Sequence, residues 1–287
     1  MAVDGGAYAQ PTPLHLYVHD DLSDEIAADA GESSVAAGLA RELLALLADD
    51  RERVRVLTLA EQVERVAAQG PHAPFDLTLG IGRAGERVAQ ALHARTGWFP
   101  RVRRIGLTRE EDGAGGYRLV STEGTSLAAQ LEGTRACPSL AVVDDTVFSG
   151  LTMTGLIEAL DAETRARTRT RAFCLRGVAE SVARVAALCP ITVGVAAPGR
   201  LLAEVSFINA SGLVRRVAIR RPERPPLAFF DRPEWIRAWF PTCHADVLAL
   251  CRRLNALLEP AEPVTSAAPA GSLRDPAART ARGRRAP

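Results

Sequence analysis

Short apolar runs and helical apolar stripes take turns along most of this chain. Leu14–Val18 reads as a strand, and Ser34–Leu47 carries the three- and four-residue apolar spacing of an amphipathic helix. Val54–Leu57 gives a second strand, followed by a helix to about Ala68. Phe75–Ile81 is a strand that runs into Gly82-Arg83-Ala84-Gly85 and a helix through His93. Val102–Leu107 and Tyr117–Val120 flank the polar, Gly-rich stretch Arg109–Gly116, the pattern of a long hairpin. Ser139–Val143 is a buried strand and Thr152–Asp161 a helix; Arg171–Leu175, Ala179–Leu188 and Ile191–Ala196 continue the alternation. Strands alternating with helices predict an α/β fold with a parallel sheet and right-handed crossovers.

Beyond Pro198 the pattern changes. Glu204–Ile208 and Val214–Ile219 read as a two-strand element around Ala210-Ser211-Gly212, followed by an aromatic patch (Phe229, Phe230, Trp235, Trp239, Phe240) and a helix over Ala245–Leu258. The expected organisation is a loose N-terminus over 1–13, an α/β core over 14–200 and a C-terminal subdomain over 201–260. Residues 261–287 are Ala, Pro, Ser and Arg with almost no large apolar residue, which predicts a disordered tail.

Composition narrows the chemistry. The 287 residues are 47% apolar and 24% charged, enough to bury a core. A net charge of +1 supplies no global field, which argues against nucleic acid and acidic membranes as partners. All 35 basic residues are Arg, so neither a Schiff-base lysine nor a lysine phosphate clamp is available. The five cysteines form no C-x-x-C pair, which argues against a zinc knuckle or a disulfide framework. With no signal-peptide pattern and no long apolar run, the expected location is the cytoplasm.

The segment that carries chemistry is Leu140-Ala141-Val142-Val143-Asp144-Asp145-Thr146-Val147-Phe148-Ser149-Gly150-Leu151-Thr152. A buried strand ends in two adjacent carboxylates, and a turn of small residues opens a helix. Ligands of parallel sheets bind at the carboxyl ends of the strands. Backbone N–H groups at a helix start suit a phosphate, with Ser149 and Thr152 adding hydroxyls and Gly150 room for an oxygen. The carboxylates would repel phosphate and instead need donors, such as the vicinal hydroxyls of a sugar. The pattern therefore describes a phosphorylated ribose.

This segment resembles the phosphoribosylpyrophosphate motif of the type I phosphoribosyltransferases, and Phe75–Gly85 resembles that family's strand and pyrophosphate loop. The resemblance implies a Rossmann-like parallel sheet with a hood, here expected in the C-terminal subdomain. It implies transfer of a phosphoribosyl group from 5-phosphoribosyl-1-pyrophosphate (PRPP) to a nucleobase or other small nucleophile, with release of pyrophosphate. Asp144 and Asp145 would hold the ribose, with Mg²⁺ placed indirectly on them through the ribose hydroxyls or water. Thr146, Val147, Phe148, Ser149, Gly150, Leu151 and Thr152 would form the 5-phosphate cradle, while Arg83, Ala84 and Gly85 meet pyrophosphate. The hairpin is expected to close over the leaving group with one of Arg101, Arg103, Arg104, Arg109 and Arg118, of which Arg109 lies nearest the tip. Dimerisation is common in this fold. The pattern departs at Phe148, where purine-type members often carry an Asp that helps move protons on the base, and in its lack of the loop lysine of orotate-type members. The alternative reading is a non-catalytic sensor of PRPP or nucleotide.

Other groupings carry less. His15, His19, Asp20 and Asp21 lack the further ligands of a metal site, Cys243-His244 would point apart on a helix, and the Phe229–Phe240 aromatics read as a hydrophobic contact before an acceptor pocket.

Overall fold

The computed structural model describes residues 15–111, 116–198, 207–216, 219–221 and 224–259; the expected loose N-terminus and tail lie outside them. In chain order the elements are β1 (Leu16–Asp20), α1 (Leu22–Ala30), α2 (Val35–Ala48), β2 (Val54–Thr58), α3 (Leu59–Ala67), β3 (Leu77–Ile81) and α4 (Gly82–Thr96). Then come β4 (Val102–Ile105), β5 (Leu107–Glu111), β6 (Tyr117–Ser121), α5 (Leu127–Gln130), β7 (Ser139–Val147), α6 (Leu151–Ala159), α7 (Ala162–Arg167) and β8 (Arg169–Val178). The remainder is α8 (Ala179–Ala186), β9 (Ile191–Ala197), β10 (Phe207–Asn209), α9 (Ala210–Val214), β11 (Ile219–Arg221), β12 (Arg224–Leu227), α10 (Pro233–Trp239) and α11 (His244–Leu258).

The central layer is the expected parallel sheet, five strands in the order β4-β3-β7-β8-β9. Its middle strand is apolar on both faces because helices cover both. Leu140 and Val142 pack with Met153, Leu156 and Ile157 of α6, whereas Ala141 and Val143 pack with Val88, Ala89 and Leu92 of α4. Local signals place the helices. Ser34 caps α2 by accepting from the Ala37 N–H, and Thr58 and Glu61 form a reciprocal capping box at the start of α3. Gly85 is required by packing. A Cβ there would collide with the Val143 carbonyl, so α4 can lie against β7 only with glycine at this point.

A second parallel sheet, β10-β1-β2, departs from the expected organisation. Within the segment expected as a two-strand element, the described residues 207–216 form no hairpin. Phe207–Asn209 instead pairs in parallel with β1, and Ala210–Val214 is helical. This sheet shares one apolar core with α1, α2, α9, α10 and α11, joining Val18, Leu43 and Leu47 to Leu213, Trp239, Val247 and Leu254. The two ends of the chain thus fold together, across the boundary expected at residue 200. The hairpin region also differs. The run Val102–Leu107 breaks at Gly106: β4 is an edge strand of the central sheet, while β5 and β6 pair only with each other. Among the described residues no helix is long and apolar enough to cross a membrane.

Candidate functional site

Strand β7 carries the acid pair out of the packed layers. Its first residues are buried on both faces, Asp144, Asp145 and Thr146 are partly exposed, and Val147 is buried again. The strand runs on to Val147, so the turn into α6 is only Phe148-Ser149-Gly150. Gly150 has φ +74°, a left-handed backbone that disfavours any side chain. Its missing Cβ would lie 3.4 Å from the Ser181 carbonyl of α8. Glycine is therefore demanded by the turn's conformation, and not by the expected room for an oxygen.

The acids and the turn open on a cleft of about 530 Å³ that also receives residues from the second sheet. Of the residues expected from sequence, Arg83, Ala84, Arg109, Asp144, Asp145, Thr146, Val147, Phe148, Ser149, Gly150 and Thr152 line it. Gly85 and Leu151 do not; Gly85 faces β7, and Leu151 is the first residue of α6. Of the five hairpin arginines only Arg109 reaches the cleft. Arg103 donates to the carbonyls of Gln130 and Glu132, Arg104 pairs with Glu86 and Glu123, and Arg118 pairs with Glu110. The lining also includes Phe207, Asn209, Ser211, Gly212, Phe229, Trp235 and Trp239. Three rings of the aromatic patch thus share the cleft with the acids, with Phe229 and Trp239 ring centroids 5.3 Å apart, edge to face.

The sequence reading missed what stands behind the acids. Arg176 of β8 is fully buried and donates to Asp145 Oδ2 at 2.8 Å, Asn209 Oδ1 at 2.7 Å and Gln62 Oε1 at 3.1 Å. Gln62 in turn donates to His19 Nδ1 at 2.7 Å. This chain of polar groups joins β7 and β8 of the central sheet to β1 and β10 of the second. Burial, reinforced by Arg176, pushes the His19 imidazole down to about 3, so His19 stays neutral and accepts the Gln62 bond. His19 is thus a structural hydrogen-bond acceptor. Among the described residues no cluster of three or more His, Cys, Asp or Glu side chains could hold a metal. Asp21, the other acid considered near β1, is buried against the Ser211 hydroxyl and N–H.

The two cleft carboxyls are unlike acids. Burial raises Asp144 well above the usual carboxylate range, and the neighbouring Asp145 raises it further. Burial works against ionisation of Asp145 too, but Arg176 and its other partners outweigh it and hold that carboxyl below its ordinary value. The two side chains hydrogen bond, Asp144 in its acid form donating to the Asp145 carboxylate. Of the two, Asp145 is therefore the readier to ionise. Asp145 Oδ2 also accepts from Thr146 Oγ1 at 3.1 Å, and Asp144 Oδ1 accepts the Asp145 N–H at 2.9 Å.

No protein-family model and no curated protein matches this chain. Among solved structures it is similar to a purine phosphoribosyltransferase from Pyrococcus horikoshii at 16% identity, covering 53% of this chain and 84% of that one with a TM-score of 0.33. It is also similar to an orotate phosphoribosyltransferase from Aeropyrum pernix at 14% identity, covering 48% of this chain and 69% of that one with a TM-score of 0.30. A hypothetical protein from Neisseria gonorrhoeae with bound ppGpp matches at 14% identity over 60% of this chain and 84% of that one, with a TM-score of 0.33. At these identities and TM-scores the likeness carries no functional argument, and the chemistry of the cleft has to supply one.

Proposed function

We propose that the cleft binds PRPP and transfers its phosphoribosyl group to a small nucleophile. One observation carries this reading: the acid pair and the Phe148–Gly150 turn, adjacent along β7 and α6, open on the same cleft. Carboxyls that face a phosphate cradle call for a ligand with hydroxyls at one end and a phosphoryl group at the other, which is a phosphorylated sugar. Arg83, at the start of α4, would meet the pyrophosphate oxygens with its planar fork. In the reaction the bond from the ribose anomeric carbon to pyrophosphate breaks and its electrons leave with pyrophosphate. The nucleophile's lone pair forms the new bond, and its proton passes to solvent or a nearby base.

The protein's contribution would be positioning and electrostatics. Asp145, held ionised by Arg176, stands near the positive charge that develops on the ribose. The hard oxygens of Asp144 and Asp145 suit Mg²⁺ bound through the ribose hydroxyls or water, and such an ion would screen the pyrophosphate charge. A sensor of PRPP is the second reading. It is favoured by Phe148 and by the part of the lining formed by Phe207, Asn209, Ser211, Gly212 and aromatic rings, which among the described residues offers no ionisable side chain to take a proton from a nucleophile.

Pyrophosphate release decides between them. With Mg²⁺ and PRPP, screened across nucleobases, amines and amides, the enzyme reading expects release that depends on one acceptor class and is abolished in Asp145→Asn. PRPP binding without release for any acceptor would leave the sensor.

A further inference from the structure

Within the phosphoribosyl reading, we infer that Arg109 recognises the 5-phosphate end of the ligand and not its pyrophosphate end. The hairpin then makes the site selective for a phosphorylated ribose. Four observations place the side chain there. Arg109 Nη1 donates to Ser149 Oγ at 3.1 Å, in the middle of the turn between β7 and α6. Its guanidinium lies over two rings, with the Tyr117 centroid at 5.3 Å and the Phe148 centroid at 5.6 Å. Across the hairpin Arg109 is in register with Leu119. Leu119 packs on α6 where Gly155 leaves space, for a Cβ on Gly155 would collide with Leu119 Cδ1.

The hairpin is thus seated on the helix that follows the phosphate turn, and its arginine is aimed at that turn. Arg83 belongs to the separate segment at the start of α4. Behind the turn Arg184 donates to the Ser149 carbonyl and to Ser181 Oγ, both at 2.8 Å, which fixes the turn's other side. A guanidinium held against aromatic faces is partly stripped of water, which strengthens its attraction for a phosphate. This also accounts for Phe148. At the position where purine-type relatives place an acid, this chain places one face of an arginine clamp.

Calorimetry with two separate probes, ribose 5-phosphate and magnesium pyrophosphate, tests the inference on the full chain. Arg109 is only partly buried, and retention of the wild-type melting temperature checks that each variant is folded. Arg109→Gln is expected to weaken ribose 5-phosphate binding roughly 10-fold or more, as loss of a charge-assisted bond does, with pyrophosphate binding unchanged. Arg109→Lys should recover part of the loss, and Phe148→Leu should reproduce part of it with the arginine in place. Weakened pyrophosphate binding with ribose 5-phosphate unaffected would overturn the assignment. Wild-type protein that binds neither ribose 5-phosphate nor PRPP would overturn the phosphoribosyl reading itself, and this inference with it.

Discussion

Replacing Asp144 with Asn should leave the protein at least as stable at neutral pH while weakening its hold on PRPP on the order of 10- to 100-fold, the cost of losing a hydrogen bond to a charged acceptor. The stability half follows from linkage. Asp144 is raised above its ordinary range in the fold, by burial first and then by Asp145. Above the ordinary carboxylate pKa, the unfolded chain has released this proton and the folded chain still holds it. Stability therefore falls as pH rises from there to the folded value, and the full contribution is present only below the ordinary carboxylate pKa. An Asn cannot ionise, and its amide N–H can replace the acid's O–H toward Asp145, so the variant loses this pH-dependent penalty.

The binding half has the opposite sign. A ribose hydroxyl donates to an ionised Asp144, so PRPP affinity should rise with pH through the folded pKa of Asp144. The phosphates of the ligand also titrate, with a second pKa near 6, and the slope must be read against the variant. Urea denaturation and calorimetry across pH 5–9 check both halves. An equal pH slope in wild type and Asp144→Asn would contradict the raised pKa of Asp144.

Arg176→Met should be the most destabilising of these changes. It removes one partner of a buried ion pair and leaves Asp145 facing a cavity without its cation. Breaking a buried pair from one side typically costs about 3–5 kcal/mol. For a chain of this size that corresponds to a melting temperature lower by about 10 °C. Asn209 and Gln62 lose their donor as well, so the link between the two sheets fails with it. Removing both charges in Arg176→Met with Asp145→Leu should recover much of the loss, since a well-packed apolar pair can replace a buried ion pair. Thermal denaturation of both variants distinguishes the cases. A single variant that melts within about 2 °C of wild type would show that the network does not hold the sheets together.

The central sheet was legible because its signals are local. The unbroken apolar run Leu140–Val143 and the stripes on the flanking helices report burial on two faces, and Gly82, Gly85 and Gly150 mark the junctions. The second sheet was not, because β10 is only three residues long and pairs with β1 from far along the chain, Tyr17 with Phe207. No local pattern records such a contact. Arg176 left a trace that went unread. A charged residue in the apolar run Phe173-Cys174-Leu175-Arg176-Gly177-Val178 must have a buried partner, and the acid pair on the neighbouring strand is the obvious one. The cradle residues could be named from the motif, but the part each plays could not. Gly85 serves helix packing, and Arg109, expected over pyrophosphate, donates to Ser149 in the turn between β7 and α6.

The most direct measurement is a crystal structure of the protein with PRPP and Mg²⁺. The 5-phosphate oxygens are expected within about 2.7–3.2 Å of backbone N–H groups or hydroxyls of Ser149–Thr152, with the ribose hydroxyls on Asp144 and Asp145. A ligand seated elsewhere, or a ribose that leaves both carboxyls untouched, would contradict the account.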